Sequence, residues 1–221
     1  MEPTADPEAP APGGAAQQPT GPLLVFGGTF DPPHRGHATL APRVAQRVGA
    51  RGLLLVPAGR SPFKLDHGQS PPADRLAMTR LAFAGVPGVE VDATEAERGD
   101  AAPSYTVDTL RRLAAQRPDA RFRLLIGTDQ LFVFPQWRGA EALAALAPPA
   151  VMVRPPAGRA QAERWLREEA PAWLRAAAEL VDVPELDVSS TRIRGQLRRG
   201  QTPEDLDPAV LAYAQEHGLY R

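Results

Sequence analysis

Residues 23–37 read Leu-Leu-Val-Phe-Gly-Gly-Thr-Phe-Asp-Pro-Pro-His-Arg-Gly-His, or LLVFGGTFDPPHRGH. An apolar run with no polar alternation is how a strand buried on both faces reads. Gly27 and Gly28 end it, and glycine lets a backbone approach a ligand closely. Pro32 and Pro33 stiffen the turn. The stretch Ala38–Val48 then carries a helical pattern. Strand, glycine-bearing turn and helix together open an α/β unit, in which ligands bind at the carboxyl ends of strands.

The same unit recurs along the chain. Candidate strands are Leu23–Phe26, Leu53–Val56, Val89–Asp92, Phe122–Ile126, Ala150–Val153 and Glu179–Val183. Between them lie helical stretches at Ala38–Val48, Ala73–Ala84, Thr106–Gln116, Ala140–Ala147 and Ala160–Ala178. This alternation predicts an α/β fold, a doubly wound and mostly parallel sheet with helices on both faces. Thr191–Arg199 and Pro208–His217 add a small helical C-terminal part. Pro42 falls inside the first helical stretch and is expected to kink or delay it. The segment Gly59–Pro72 is long for such a connection, which marks it as a functional or mobile segment.

Composition sets bounds. The chain has 221 residues, enough for one sizeable core. The formal net charge is −1, so no overall basic field points to nucleic acid or an anionic membrane. No apolar run reaches the length of a membrane span. There is no cysteine, which excludes disulfides and thiolate chemistry and fits a cytoplasmic setting. Residues 1–20 are rich in Pro and Ala and lack an apolar signal-peptide segment; they read as a disordered tail before a single domain over 21–221. Of 25 basic residues only Lys64 is lysine, leaving 24 arginines. A lone ammonium in an arginine-based chain is either a stray surface residue or a deliberate point charge.

His34 and His37 share one face if both lie in a first helical turn. There they would stand beside the unpaired N–H groups of a helix N-terminus, a setting for phosphate. Gly36 between them leaves room against the backbone. Three readings are open. The pair can bind metal with Asp31 as a third ligand, although zinc commonly takes three or four protein ligands and no cysteine exists to complete the set. The histidines can merely cap the helix. Or the loop handles phosphate, without being a Walker A loop or a dinucleotide fingerprint.

GGTFDPPHRGH resembles the signature of the bacterial nicotinate-nucleotide adenylyltransferases, within the HxGH nucleotidylyltransferase superfamily. Val188–Arg194 (VSSTRIR) is similar to that family's SSTxIR motif, and Pro103–Leu110 (PSYTVDTL) to its PSYT segment. Leu125–Asp129 (LIGTD) resembles its LIGxD strand end, Trp137 follows at the family's spacing, and the ending His217–Tyr220 is similar too. The resemblance spans nearly all of Leu23–Arg221. It implies a Rossmann-like nucleotidylyltransferase fold that transfers AMP from ATP to nicotinate mononucleotide, giving deamido-NAD and pyrophosphate in NAD biosynthesis.

By that resemblance His34, His37, Lys64 and Arg194 act on the phosphates, with Ser190 and Thr191 beside them at a second helix N-terminus. Gly27, Gly28, Thr29, Phe30 and Gly36 shape the nucleotide loop, and Gly127 and Asp129 meet the adenosine ribose. Tyr105, Thr106, Trp137 and Arg138 are expected around the pyridine ring. Mg²⁺ would come with ATP, bound by phosphate oxygens and water without a dedicated protein cage. Arg75 is expected either on phosphate or in a surface ion pair. Phe63 departs from the family, where His or Trp is common. Within the superfamily the alternative is another acceptor, such as phosphopantetheine; outside catalysis it is a nucleotide-sensing protein that only binds. Oligomeric state is not written in these motifs.

Overall fold

The computed structural model describes residues 20–60, 69–98, 103–155 and 157–221. Lys64, His67 and all but the last residue of the predicted tail lie outside the described residues. In chain order the elements are β1 (Leu23–Gly28), α1 (Arg35–Arg47), β2 (Gly52–Pro57), α2 (Pro72–Ala82), β3 (Val89–Val91), α3 (Thr94–Glu97) and α4 (Thr106–Gln116). Then come β4 (Phe122–Gly127), α5 (Thr128–Leu131), a 3-10 turn over Phe134–Gln136, α6 (Ala140–Leu146) and β5 (Pro149–Val153). The chain continues with α7 (Arg159–Glu168), α8 (Ala172–Ala177), β6 (Glu179–Asp182), α9 (Ser190–Arg198) and α10 (Pro208–Glu216).

All six predicted strands are present and pair in the order β3-β2-β1-β4-β5-β6, every pair parallel. The order reverses between β1 and β4, which leaves a crevice at their carboxyl ends. The apolar runs supply both faces. Leu23 and Val25 of β1, Leu54 and Val56 of β2, and Leu124 and Ile126 of β4 point into one core layer with α4 and α6. Leu24, Leu53, Leu55 and Leu125 point into the other, against Leu40, Ala41 and Val44 of α1. Each such leucine contributes about 2 kcal/mol by leaving water. A third cluster, with Met78, Ile193 and Val210, joins α2 to the helical C-terminal part.

Two helical expectations need correction. The stretch Ala160–Ala178 is not one helix: α7 stops at Glu168, and Pro171 stands at the N-cap of α8. Proline cannot donate within a helix and pushes its predecessor out of helical conformation. Nor does Pro42 delay α1. That helix already starts at Arg35, capped by His34, and runs on through Pro42; only one backbone donor is missing from the ladder.

Candidate active site

β1 delivers the signature turn to the crevice. His34 is the N-cap of α1, and its amide donates to His37 Nδ1 at 3.2 Å. The two rings stack, with centroids 3.8 Å apart. With Nδ1 accepting, a neutral His37 carries its proton on Nε2, where it is a donor. Phe30 packs edge-on against His37 at 5.2 Å and against Phe26 at 5.4 Å. Gly28 is glycine because a Cβ there would stand 3.0 Å from the Phe30 ring. Gly36 leaves space for this chain's own packing: a Cβ would meet Val188 Cγ1 at 2.7 Å and the His34 ring at 3.1 Å.

His37 lines a cavity of about 500 Å³, within the range of small-molecule sites. Gly27, Gly28 and Thr29 form its β1 edge; Gly127, Asp129 and Arg154 stand at the β4–β5 end; Tyr105, Thr106, Trp137 and Arg138 stand at the α4 side. His34 does not reach it. That ring is buried behind His37, and burial lowers its pKa to about 4, with nearby Arg154 pushing the same way. It is therefore neutral near pH 7.

The second predicted phosphate motif adjoins the turn. Ser189 caps α9 by accepting from the Arg192 amide at 3.2 Å. Ser190 Oγ donates to the Pro32 carbonyl at 2.9 Å, and Arg194 donates to the Asp31 carbonyl at 2.7 Å and to Thr191 Oγ1 at 3.3 Å. Thus Ser190 and Arg194 brace the signature turn, and Thr191 is exposed at the start of α9. Arg75 fits neither expectation for it. Its guanidinium is fully buried and donates to the carbonyl oxygens of Thr29, Gly59 and Ser70 at 2.8, 2.7 and 3.0 Å.

At the β4–β5 end Arg154 Nη2 donates to Asp129 Oδ1 at 2.7 Å. Burial alone would raise the Asp129 carboxyl. Hydrogen bonds from Gln130 and Arg154, together with the Arg154 charge, outweigh that and hold it below the ordinary carboxylate value. Gly127 makes this pairing possible, since a Cβ would lie 2.5 Å from Asp129 Oδ1 and 2.7 Å from Arg154 Nε. On the α4 side the Arg138 guanidinium lies 4.6 Å over the Tyr105 ring and 3.7 Å from Asp108. Trp137 is half-buried at the cavity wall and tilts against Phe134 at 5.1 Å.

Comparison with known proteins meets this geometry. Residues 25–196 match the family model described as cytidylyltransferase-like. The "Probable nicotinate-nucleotide adenylyltransferase" of Gemmatimonas aurantiaca is 37% identical over 200 residues, which cover 90% of this chain and 92% of its own. The protein of the same name from Roseiflexus sp. is 40% identical over 205 residues, covering 90% of this chain and 98% of its own. The chain belongs to the nicotinate-nucleotide adenylyltransferase family. Among solved structures, Plasmodium falciparum nicotinic acid mononucleotide adenylyltransferase complexed with NaAD matches this fold with a TM-score of 0.70, at 15% identity over 90% of this chain and 96% of that one.

For a member of this family, several residues at the site escaped the sequence reading. Arg154 directly follows the predicted fifth strand, so its place at a strand's carboxyl end was readable. Glu95, on the short α3, lines the cavity and accepts from the Thr109 hydroxyl. Nothing in the pattern marked so short a helix. Tyr220 was read only as part of the family-like ending; its contact with Asp31 is one no spacing rule reveals.

Proposed function

We infer that this protein transfers AMP from ATP to nicotinate mononucleotide, releasing deamido-NAD and pyrophosphate in NAD biosynthesis. Residues 21–221 would act as one nucleotidylyltransferase domain. The observation that carries the site assignment is the position of His37: it lines the same cavity as Asp129 and Arg154 at the ends of β4 and β5 and as Tyr105 and Trp137 on the α4 side. A nucleotide at each end would bring an α-phosphate and an acceptor phosphate together beside it.

In the transfer, an oxygen of the mononucleotide phosphate forms a bond to the α-phosphorus in line. The bond from that phosphorus to the bridging oxygen of the β-phosphate breaks, and the electron pair leaves with pyrophosphate. The acceptor phosphate is already ionised, so no enzyme nucleophile is required. What the protein supplies is position and charge stabilisation. His37 Nε2–H would donate to the α-phosphate oxygens as charge grows on them. Neutral His34, stacked behind, would fix that ring by contact and through its amide. The N-terminus of α1 adds its positive dipole end. Ser190 and Arg194 would act by bracing the turn, and Thr191 would offer its hydroxyl beside them. Lys64 remains a candidate point charge for the leaving phosphates.

Asp129 would accept from the vicinal ribose hydroxyls of the adenosine, exchanging its bond with Arg154 for the diol. Trp137 and Tyr105 would flank the pyridine ring. Thr106, at the N-terminus of α4, and the Arg138 cation would favour a carboxylate over an amide there. Mg²⁺ would enter as part of the nucleotide substrate. Asp31 is not disposed to bind it, because its carboxylate already accepts from Tyr220 and the Ser70 amide.

The test is pyrophosphate release from ATP and Mg²⁺ with nicotinate or nicotinamide mononucleotide supplied separately. Strong preference for the nicotinate form is expected. Comparable rates would remove the carboxylate argument for α4 and Arg138. No release with either, but release with phosphopantetheine, would replace the acceptor.

A further inference from the structure

Asp31 sits inside the signature turn, is 5% exposed, and is not among the residues lining the cavity. One carboxylate oxygen accepts from the Tyr220 hydroxyl at 2.6 Å, and the other from the Ser70 amide at 3.3 Å. Its backbone carbonyl accepts from Arg194 at 2.7 Å. Next to it Phe30 adopts φ 50, a left-handed conformation unfavourable for a large side chain. Such a residue persists only when its surroundings over-determine it. Here the Phe30 ring is buried against Phe26 and His37, and the flanking residues Thr29 and Asp31 are held by Arg75 on one side and by Tyr220 and Arg194 on the other.

We propose that Tyr220, the penultimate residue, is a positioning residue for adenylyl transfer: through Asp31 it holds the Thr29–His34 turn, and thereby aims the His37 ring. The proposal rests on the cavity being the transfer site. The chain of contacts is short. Tyr220 fixes Asp31; three residues on, the His34 amide donates to His37 Nδ1. The Tyr220–Asp31 contact is an O–H to carboxylate bond, the stronger charge-assisted kind. Removing it leaves a buried carboxylate short of a donor, and the turn must shift to recover one. Small displacements of a charge-stabilising donor are costly to rate while leaving remote binding contacts intact.

The molecule contains its own control. Tyr213 of α10 also donates to a carboxylate, Asp74 on α2, at 2.9 Å, but Asp74 is not part of the turn. The experiment compares Tyr220→Phe with Tyr213→Phe by thermal midpoint and by steady-state rates with ATP and nicotinate mononucleotide, well below both midpoints. Tyr220→Phe is expected to lower kcat about tenfold with KM for the mononucleotide within about twofold. Tyr213→Phe is expected to lower the midpoint by no more than Tyr220→Phe, since Asp74 is only half-buried, and to leave kcat unchanged. An unchanged kcat in Tyr220→Phe, or equal kcat losses in the two variants, overturns the proposal. Should Tyr220→Phe not fold, Asp31→Asn carries the same expectation, and an unchanged kcat there overturns it too. Absence of transfer by the wild-type protein would defeat the functional reading and this proposal together; normal wild-type transfer with an unaltered Tyr220→Phe defeats only the role of Tyr220.

Discussion

At the β1 end of the cavity the polar groups are anchored to backbone, with Arg75 and His34 buried and His37, Ser190 and Arg194 half-buried. Arg75 grips three carbonyl oxygens, Arg194 and Ser190 each hold one in the turn, and His37 is fixed by the His34 amide. At the Arg154 and Trp137 ends the polar groups are half-exposed side chains paired with one another. Arg154 with Asp129 and Arg138 with Asp108 are ion pairs whose partners are 42–62% exposed. Exposed pairs contribute only about 0–1 kcal/mol and exchange readily for a ligand. The contrast matches two tasks. A donor aimed at growing charge must be in place before the reaction, because reorganising it then raises the barrier. Groups that select a ligand can pair with one another until the ligand arrives.

The contrast breaks first at His37. His37→Ala should lower kcat by roughly 100-fold or more while changing ATP affinity little, since in the proposed role its donor would act on transition-state charge. Parallel single-turnover and ATP-binding measurements read the split; equal losses in both would make His37 an ordinary binding group. Next is acid stability. The His34 pKa is lowered to about 4 by burial, from an ordinary 6.5. The unfolded chain then binds the proton more tightly, so the stabilisation is fully present above pH 6.5 and is lost as pH falls toward 4. A shift of this size corresponds to at most about 3 kcal/mol. Urea unfolding from pH 7 to pH 4 should show the fall, and His34→Gln should flatten it; an equally steep fall in that variant would place the titrating group elsewhere.

At the adaptable end, Trp137→Ala should raise KM for the mononucleotide about tenfold, the scale of one lost ring-stacking contact, and spare that for ATP. A defect confined to ATP would move the pyridine site away from the α4 side. The smallest effect is expected from Arg154→Gln. It frees Asp129 from an exposed pair, so KM for ATP should change by about threefold or less and kcat should hold. A large kcat loss would mean that Arg154 belongs with the fixed groups.

Much of this was legible beforehand, unevenly. Strands were legible because a parallel strand covered on both faces needs an unbroken apolar run, and Leu23–Phe26 and Leu53–Val56 have one. The break at Pro171 was legible in principle from the proline and was overridden by the surrounding helical composition. Arg75 was not legible: the residue type suggests phosphate or surface, and only a cage of three carbonyl oxygens gathered from different loops makes a buried guanidinium tolerable. His34 and His37 both read as phosphate contacts, with His37 the better placed for the α-phosphate, yet only His37 reaches the cavity, because the stacked rings set one in front of the other.

By itself the sequence determined the α/β sheet with its two covered faces, the strand ends where chemistry would sit, and the motifs that identify the family, since each depends on residue type within a few positions. The tertiary structure alone decided which of those residues face the cavity and which hold others in place. Tyr220 meets Asp31 across 189 residues, and Arg194 meets the same turn across 163. Contacts at such separations are set by how sheet layers and helices pack, and local patterning carries no record of them.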